Sequence, residues 1–183
     1  FYRFISEDLT RYLNEQELAA GEKDFDYTEL SDEDAENGRA STVAEKGYFI
    51  LPSELFQNVA KRCGADENLN ETLSGIFDAI EDSAKGTPSE QDMDGLFSDF
   101  NVNSNKLGAT VAQRNEKLCK IINEIGKLKL GSSISETTND TFGDAYEFLM
   151  KMYASNAGKS GGEFFTPQEV SRLVALLAIA GRR

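Results

Sequence analysis

The chain has 183 residues, enough for one ordinary domain or for one domain and part of another. Its 32 Asp and Glu residues outnumber its 19 Lys and Arg residues, and the net charge of −13 repels phosphate, so we do not expect the main DNA-reading surface here. The absence of His excludes Ser-His and Cys-His nucleophile pairs and argues against a zinc site. With two distant cysteines, a reduced, cytoplasmic protein fits best.

We expect no membrane span and no signal peptide in this sequence. There is no apolar run of 18 residues and no signal peptide at the start. Phe1 lies inside a helical pattern, and Arg183 comes soon after an apolar helix. We therefore expect both ends to be cut from a longer protein.

The first 46 residues are expected to contain one helix and an acidic loop. Apolar residues at helical spacing predict a helix over Phe1–Leu13, and the acidic segment Gly21–Gly38 predicts a solvated loop with one helical turn at Ser31–Glu36. A calcium-binding loop in this segment is rejected. Its sixth position, which requires Gly, is Asn37, and its twelfth, which requires Glu, is Val43.

The next segment predicts one strand and two helices. Gly47–Leu51 is predicted to be a short strand, followed by a helix that Ser53 caps and Gly64 ends. Cys63 then lies on the apolar face of this helix and is expected to be a buried core thiol. A second helix is expected between the cap at Asn68 and the glycine at position 86.

The rest of the first domain is predicted to be a polar, turn-rich segment over Gly86–Gly108 followed by one long helix over Thr110–Ile125. Gly126–Asn139 resembles a linker, because Gly, Ser and Thr replace the periodic pattern. We place the domain boundary near Ile134, which gives domains at 1–134 and 135–183. The residues expected to face the core from the long helix are Val111, Leu118, Ile121, Ile122 and Ile125.

The last 44 residues predict a helix, a glycine-rich loop and a second helix. The first helix is expected over Asp140–Ser155 and the loop over Asn156–Gly162. Thr166 is the expected N-cap of the second helix, with Pro167 at its first position and Glu169 completing a capping box. The residues expected to form its buried face are Val170, Leu173, Val174 and Leu177.

This arrangement can form a small-molecule site. Free N–H groups at a helix start attract a carboxylate or phosphate, and Phe164 and Phe165 could cover an apolar or cationic group. The alternative is that both rings are core residues and Thr166 only caps the helix. A phosphate-binding loop at Gly158-Lys159-Ser160 is excluded, because the required earlier glycine is Tyr153 and a helical pattern precedes the loop.

Several segments resemble the modification (M) subunit of type I restriction–modification systems, a DNA adenine-N6 methyltransferase. GEFFTP at Gly162–Pro167 is similar to that family's first S-adenosylmethionine-contacting motif, and the preceding glycine-rich loop also resembles the family's pattern. Gly47–Phe56 and Phe100–Gly108 are similar to segments of its helical N-terminal domain. The resemblance implies a mainly α chain. A helical N-terminal domain is followed by the first helices of a truncated α/β S-adenosylmethionine-dependent methyltransferase domain.

The resemblance also implies a cofactor, a reaction and partners. S-adenosyl-L-methionine would donate a methyl group to adenine N6 in duplex DNA. The partners would be a specificity subunit, a second modification subunit and, in the full complex, a restriction subunit, with no membrane involved. The residues that would line the methionine end of the cofactor are Glu163, Phe164, Phe165, Thr166, Pro167 and Gln168.

No catalytic residue and no metal ligand is assigned. The family engages the target amine with an Asn/Asp-Pro-Pro-aromatic tetrapeptide, but Pro52, Pro88 and Pro167 are not adjacent to one another. We expect that tetrapeptide beyond Arg183, so the fragment alone would be inactive and would serve assembly and part of the cofactor site. The alternative function is a free-standing acidic helical protein-interaction module without a cofactor.

Overall fold

The computed structural model describes residues 1–128 and 168–180. The chain divides into two compact units, Phe1–Lys129 and Leu130–Arg183. The domain boundary predicted near Ile134, the helix predicted over Asp140–Ser155 and the glycine-rich loop lie outside the described residues.

The described residues are helical and contain no strand, which confirms the mainly α prediction. No helix among them is long and apolar enough to span a membrane. The eight α-helices of this part are α1 Tyr2–Ala20, α2 Asp32–Asn37, α3 Arg39–Lys46, α4 Phe56–Arg62, α5 Leu69–Ser83, α6 Glu90–Met93, α7 Val111–Gly126 and α8 Gln168–Ala180, and short 3-10 turns lie at Tyr27–Glu29 and Pro52–Glu54.

The core of the first unit lies among α1, α4, α5 and α7. Tyr2 is wedged between two phenylalanines, with its ring centroid 5.5 Å from that of Phe56 and 5.6 Å from that of Phe77, both edge-on. Phe77 also stacks on Phe97 at 4.3 Å. These aromatic contacts join α1, α4 and α5 into one hydrophobic cluster. Its aliphatic members with no exposed surface are Leu9, Ile50, Leu55, Val59, Leu69, Ile80 and Ala84.

The strand predicted at Gly47–Leu51 is wrong. The segment begins at the left-handed Gly47 and contains no strand, and the hydrogen bonds of its buried Phe49 go to a side chain and not to a second strand. The hydroxyl of Ser83, in the last turn of α5, accepts the Phe49 N–H at 2.9 Å and lies 3.2 Å from the Phe49 carbonyl oxygen. An apolar segment that forms no strand can therefore be buried among helices when a side chain satisfies its backbone.

Ser53 is not the cap of α4. Its N–H and hydroxyl both donate to the carboxylate of Asp32, at 2.9 and 2.6 Å. The first turn of α4 is instead satisfied from α1, where the fully buried hydroxyl of Ser6 accepts the Phe56 N–H at 3.1 Å. A tertiary contact therefore replaces the local cap that the sequence suggested.

The long predicted helix is confirmed as α7. Thr110 accepts the N–H of Gln113 and the Gln113 side chain accepts that of Thr110, which completes a capping box. Leu118 and Ile122 are buried as expected. The expected burial of Val111 is wrong. This residue lies in the first turn of α7 and is 43% exposed.

Cys63 and Cys119 form a disulfide bond between the end of α4 and the middle of α7. The expectation of a buried, reduced thiol at Cys63 is therefore wrong, although the residue is buried. The two cysteines are separated by 56 positions and belong to no local motif, so only the packing of α4 against α7 brings them together.

Candidate functional site

The predicted cofactor segment leads directly into a helix. Glu163, Phe164, Phe165, Thr166 and Pro167 lie outside the described residues, as does the predicted Thr166 cap. The sixth predicted residue, Gln168, is the first residue of α8, a helix of 13 residues, so the predicted second helix is confirmed. The described part of this helix therefore begins directly after the GEFFTP hexapeptide.

The apolar face predicted to be buried on α8 is exposed. Leu173, Val174 and Leu177 are 56, 60 and 65% exposed, and Val170 and Leu176 are about half exposed. Helical periodicity predicts that a face is suited to burial, whereas burial itself requires a partner element. The prediction of a buried face is therefore wrong for the chain as it stands.

A groove of about 940 Å³ lies between the end of α4 and α7. The disulfide of Cys63 and Cys119 lines it, together with the ammonium group of Lys120 and the carboxylates of Asp66, Glu67, Glu116 and Glu124. It contains no nucleophile paired with a base. In residues 1–128 and 168–180, no cluster of three or more Cys, Asp and Glu side chains is arranged to hold a metal ion.

The perturbed ionisable groups of the first unit are structural. Burial raises the pKa of the Tyr2, Tyr27 and Tyr48 hydroxyls well above the ordinary value. Each hydroxyl donates to a backbone carbonyl, that of Tyr27 to Ile50 at 2.8 Å and that of Tyr48 to Ile5 at 3.1 Å. Burial also raises the pKa of the Glu54 carboxyl. The tyrosine hydroxyls are each held by a backbone carbonyl, so these groups indicate packing rather than chemistry.

Charge is distributed unevenly along the chain. Residues 1–100 contain 24 acidic and 8 basic residues, whereas residues 101–128 contain 2 acidic and 5 basic residues. Residues 129–183 are balanced, with 6 of each. The loop before α7 and α7 itself thus form a basic region in an acidic domain, which the overall charge of −13 conceals. A count by segment would have found it in the sequence.

Comparisons with known proteins extend over nearly the whole chain. Residues 1–125 match the family model described as HsdM N-terminal domain, and residues 137–182 match the one described as N-6 DNA Methylase. The methylase subunit of the type I restriction enzyme MpnII from Mycoplasma pneumoniae is 47% identical over 98% of this chain.

A solved structure of the same family also matches the chain. The methyltransferase subunit of a type I restriction–modification system from Streptococcus thermophilus matches 99% of the chain with a TM-score of 0.66 and 28% identity. This chain covers only 34% of the Mycoplasma relative and 37% of the Streptococcus chain. It therefore spans about a third of the length of the relatives it matches.

Proposed function

Because this chain belongs to the family of methylase subunits of type I restriction–modification systems, we propose that it is the N-terminal part of a DNA methyltransferase subunit. The full subunit would transfer the methyl group of S-adenosylmethionine to the N6 atom of adenine in duplex DNA. The observation that carries the proposal is that the two family models follow each other along the chain, a subunit-specific N-terminal domain and then a DNA methylase domain. An interaction module without a cofactor does not account for the second match.

The cofactor site would begin with six residues of this chain, Glu163, Phe164, Phe165, Thr166, Pro167 and Gln168. Support for this comes from chemistry and from the start of α8 at Gln168. The N–H groups of a first helical turn can bind the methionine carboxylate, and a phenylalanine face can lie against the sulfonium cation. S-adenosylmethionine would supply an electrophilic methyl group. The task of these residues would be to bind and orient the cofactor.

The helical unit would serve assembly. Its described residues hold no nucleophile–base pair, and the side chains whose pKa is raised chiefly by burial are core tyrosines and one half-buried glutamate. We propose that it contacts a specificity subunit and a second modification subunit, with a restriction subunit in the full complex, and helps to close that assembly around DNA.

A methyl-transfer assay tests the proposed function. The full-length subunit, assembled with its specificity subunit, is incubated with duplex DNA and S-adenosylmethionine tritiated on the methyl group. We expect label in the DNA only when the specificity subunit is present. The absence of label with the complete assembly and DNA that carries its target would contradict the proposal.

Two substitutions test the assignment of the cofactor residues. Phe165→Ala in the full-length subunit should weaken S-adenosylmethionine binding by about 10-fold or more, the scale of a lost cation–π contact of 1–2 kcal/mol. Phe100→Ala is the matched control, because Phe100 is a partly exposed aromatic residue of the helical unit. Calorimetric titration gives both dissociation constants. Equal affinities for the two variants and the parent would show that Phe165 has no cofactor role.

A further inference from the structure

The basic region contains a stretch without any carboxylate. Between Asp99 and Glu116 the chain has 16 residues and no Asp or Glu, although residues 1–100 average about one acid in four. Lys106 and Arg114 lie within this stretch, and Lys117 and Lys120 follow on α7. In a domain with such an excess of acid, this is the segment whose cations can act together.

Three of these cations form one exposed surface. Lys106, Lys117 and Lys120 are all exposed, and we call them the lysine surface. The Lys117 ammonium donates to the Lys106 backbone carbonyl at 3.3 Å, which places the loop lysine beside α7. Lys117 and Lys120 are three positions apart in one helix and therefore lie on the same side of it.

The lysine surface has no ion-pair partner within 4.0 Å among the described residues. Lys46, Lys61, Lys85 and Lys127 each have one, so most other lysines of this unit are neutralised locally. The nearby carboxylate of Glu124 is held by Lys127 at 2.7 Å, and the more distant charge of Lys120 contributes less to lowering its pKa. Lys120 also lines the groove that holds the carboxylates of Glu116 and Glu124, whereas Lys106 and Lys117 remain available to an external anion.

The loop that carries Lys106 is held firmly against the helices. Arg114 donates to the Gly108 carbonyl at 3.2 Å, and Asn70 of α5 donates to the Asn103 side chain at 2.6 Å. Gly108 packs so closely on α7 that a Cβ there would lie 2.6 Å from the Cβ of Gln113. The lysine positions are therefore preorganised, which lowers the entropic cost of binding.

We propose that the lysine surface contacts backbone phosphates of the duplex DNA held by the assembled enzyme. This inference rests on the proposed function, because duplex DNA is the substrate assigned there. Ammonium groups without carboxylate partners bind phosphates and release counterions, whereas the acidic remainder of the domain is repelled. The domain would therefore turn α7 and the preceding loop toward the DNA and its acidic faces away from it.

The salt dependence of DNA binding tests the lysine surface. The triple variant Lys106→Gln, Lys117→Gln and Lys120→Gln is made in the full-length subunit and assembled with the specificity subunit. The matched control is Lys23→Gln, Lys61→Gln and Lys85→Gln, which removes three exposed lysines and the same charge elsewhere on the unit. Dissociation constants for duplex DNA are measured at a series of salt concentrations.

We expect the slope of log K against log salt to decrease in magnitude by about 2 to 3 for the lysine-surface variant only, since each phosphate contact contributes about 0.9. An unchanged slope, or an equal decrease in both triple variants, would overturn the inference. So would normal DNA binding together with loss of subunit assembly on gel filtration, because the surface would then bind a protein. In each of these cases, methyl transfer by the parent enzyme would still support the proposed function.

Discussion

Asn115 of α7 accepts a hydrogen bond from the backbone N–H of Asn70, in the first turn of α5, at 3.1 Å. The same buried side chain donates to the Glu67 carbonyl at 2.6 Å. Asn68, the N-cap residue of α5, makes no capping bond with its side chain. The start of α5 is thus stabilised by a different helix, and this contact ties α5 to the helix that carries the lysine surface.

Asn115→Ala should destabilise the helical unit by about 2 to 3 kcal/mol. The substitution leaves the Asn70 N–H and the Glu67 carbonyl without their partner, and an unsatisfied buried group costs about 1 to 3 kcal/mol. Urea unfolding followed by circular dichroism measures the loss. Asn105→Ala, an exposed asparagine in the preceding loop, should change stability by less than about 0.5 kcal/mol. Equal stabilities of the two variants would contradict this account of the α5 start.

Reduction of the Cys63–Cys119 disulfide should destabilise the unit by about 4 kcal/mol. The bond closes a loop across 56 positions, and opening it restores conformational freedom to the unfolded chain. Urea unfolding with and without a phosphine reductant gives the difference. In Cys119→Ser the reductant should have no effect, which separates disulfide loss from other effects of the reagent. Two free thiols in the untreated protein would show that the bond does not form.

Gly47→Ala should be more damaging than Gly21→Ala. Both glycines have positive φ, +80° and +106°, so either substitution introduces backbone strain of about 1 to 2 kcal/mol. At Gly47 the added Cβ would also lie 2.8 Å from the Cβ of Ser89, whereas at Gly21 it meets nothing within 4 Å. We expect a loss of about 3 kcal/mol or more for Gly47→Ala, measured by thermal unfolding. Equal losses of stability at both sites would show that backbone strain is the only cause and that the contact with Ser89 adds nothing.

Glu54→Gln should stabilise the protein at pH 7 and have little effect at pH 4. Burial raises the pKa of Glu54 above its ordinary value of 4.5, so the folded state holds this proton to higher pH than the unfolded chain. Stability therefore falls as pH rises from about 4.5 through the raised pKa, and the neutral amide removes that loss.

Glu36→Gln serves as the control with the opposite sign. The hydrogen bond from Arg39 lowers the pKa of Glu36, so its ionised form favours folding, and this contribution disappears as pH falls through the lowered pKa. Unfolding free energies of both variants at pH 4 and pH 7 test whether the two carboxyl groups affect stability in opposite directions. A destabilising effect of Glu54→Gln at pH 7 would contradict the burial account.

Local signals predicted α7 well, and non-local contacts explain the errors in the helical unit. Thr110 and Gln113 lie within one turn, so their capping box can be predicted from the sequence. Ser53 looked equally suitable as a cap, but Asp32, 21 positions earlier, binds it. The strand at Gly47–Leu51 failed for the same reason, because Ser83 satisfies Phe49 from 34 positions away.

The candidate site was predictable in part. The sequence Thr-Pro-Gln-Glu correctly predicted that a helix lies here, because the residues that begin a helix are neighbours in the chain. The exposure of Leu173 and Leu177 on α8 could not be predicted, since it depends on whether another element covers that face. The cofactor contacts of Glu163–Pro167 stay a prediction. The lysine surface could have been found by counting charges over residues 101–128.

Identification of the modified nucleoside tests the central proposal most directly. DNA treated with the full-length subunit, its specificity subunit and S-adenosylmethionine is digested to nucleosides and analysed by mass spectrometry. We predict N6-methyladenine, with no methylated cytosine, and its loss when S-adenosylmethionine is omitted. N4-methylcytosine or 5-methylcytosine as the product, or no methylated base at all, would contradict the proposal.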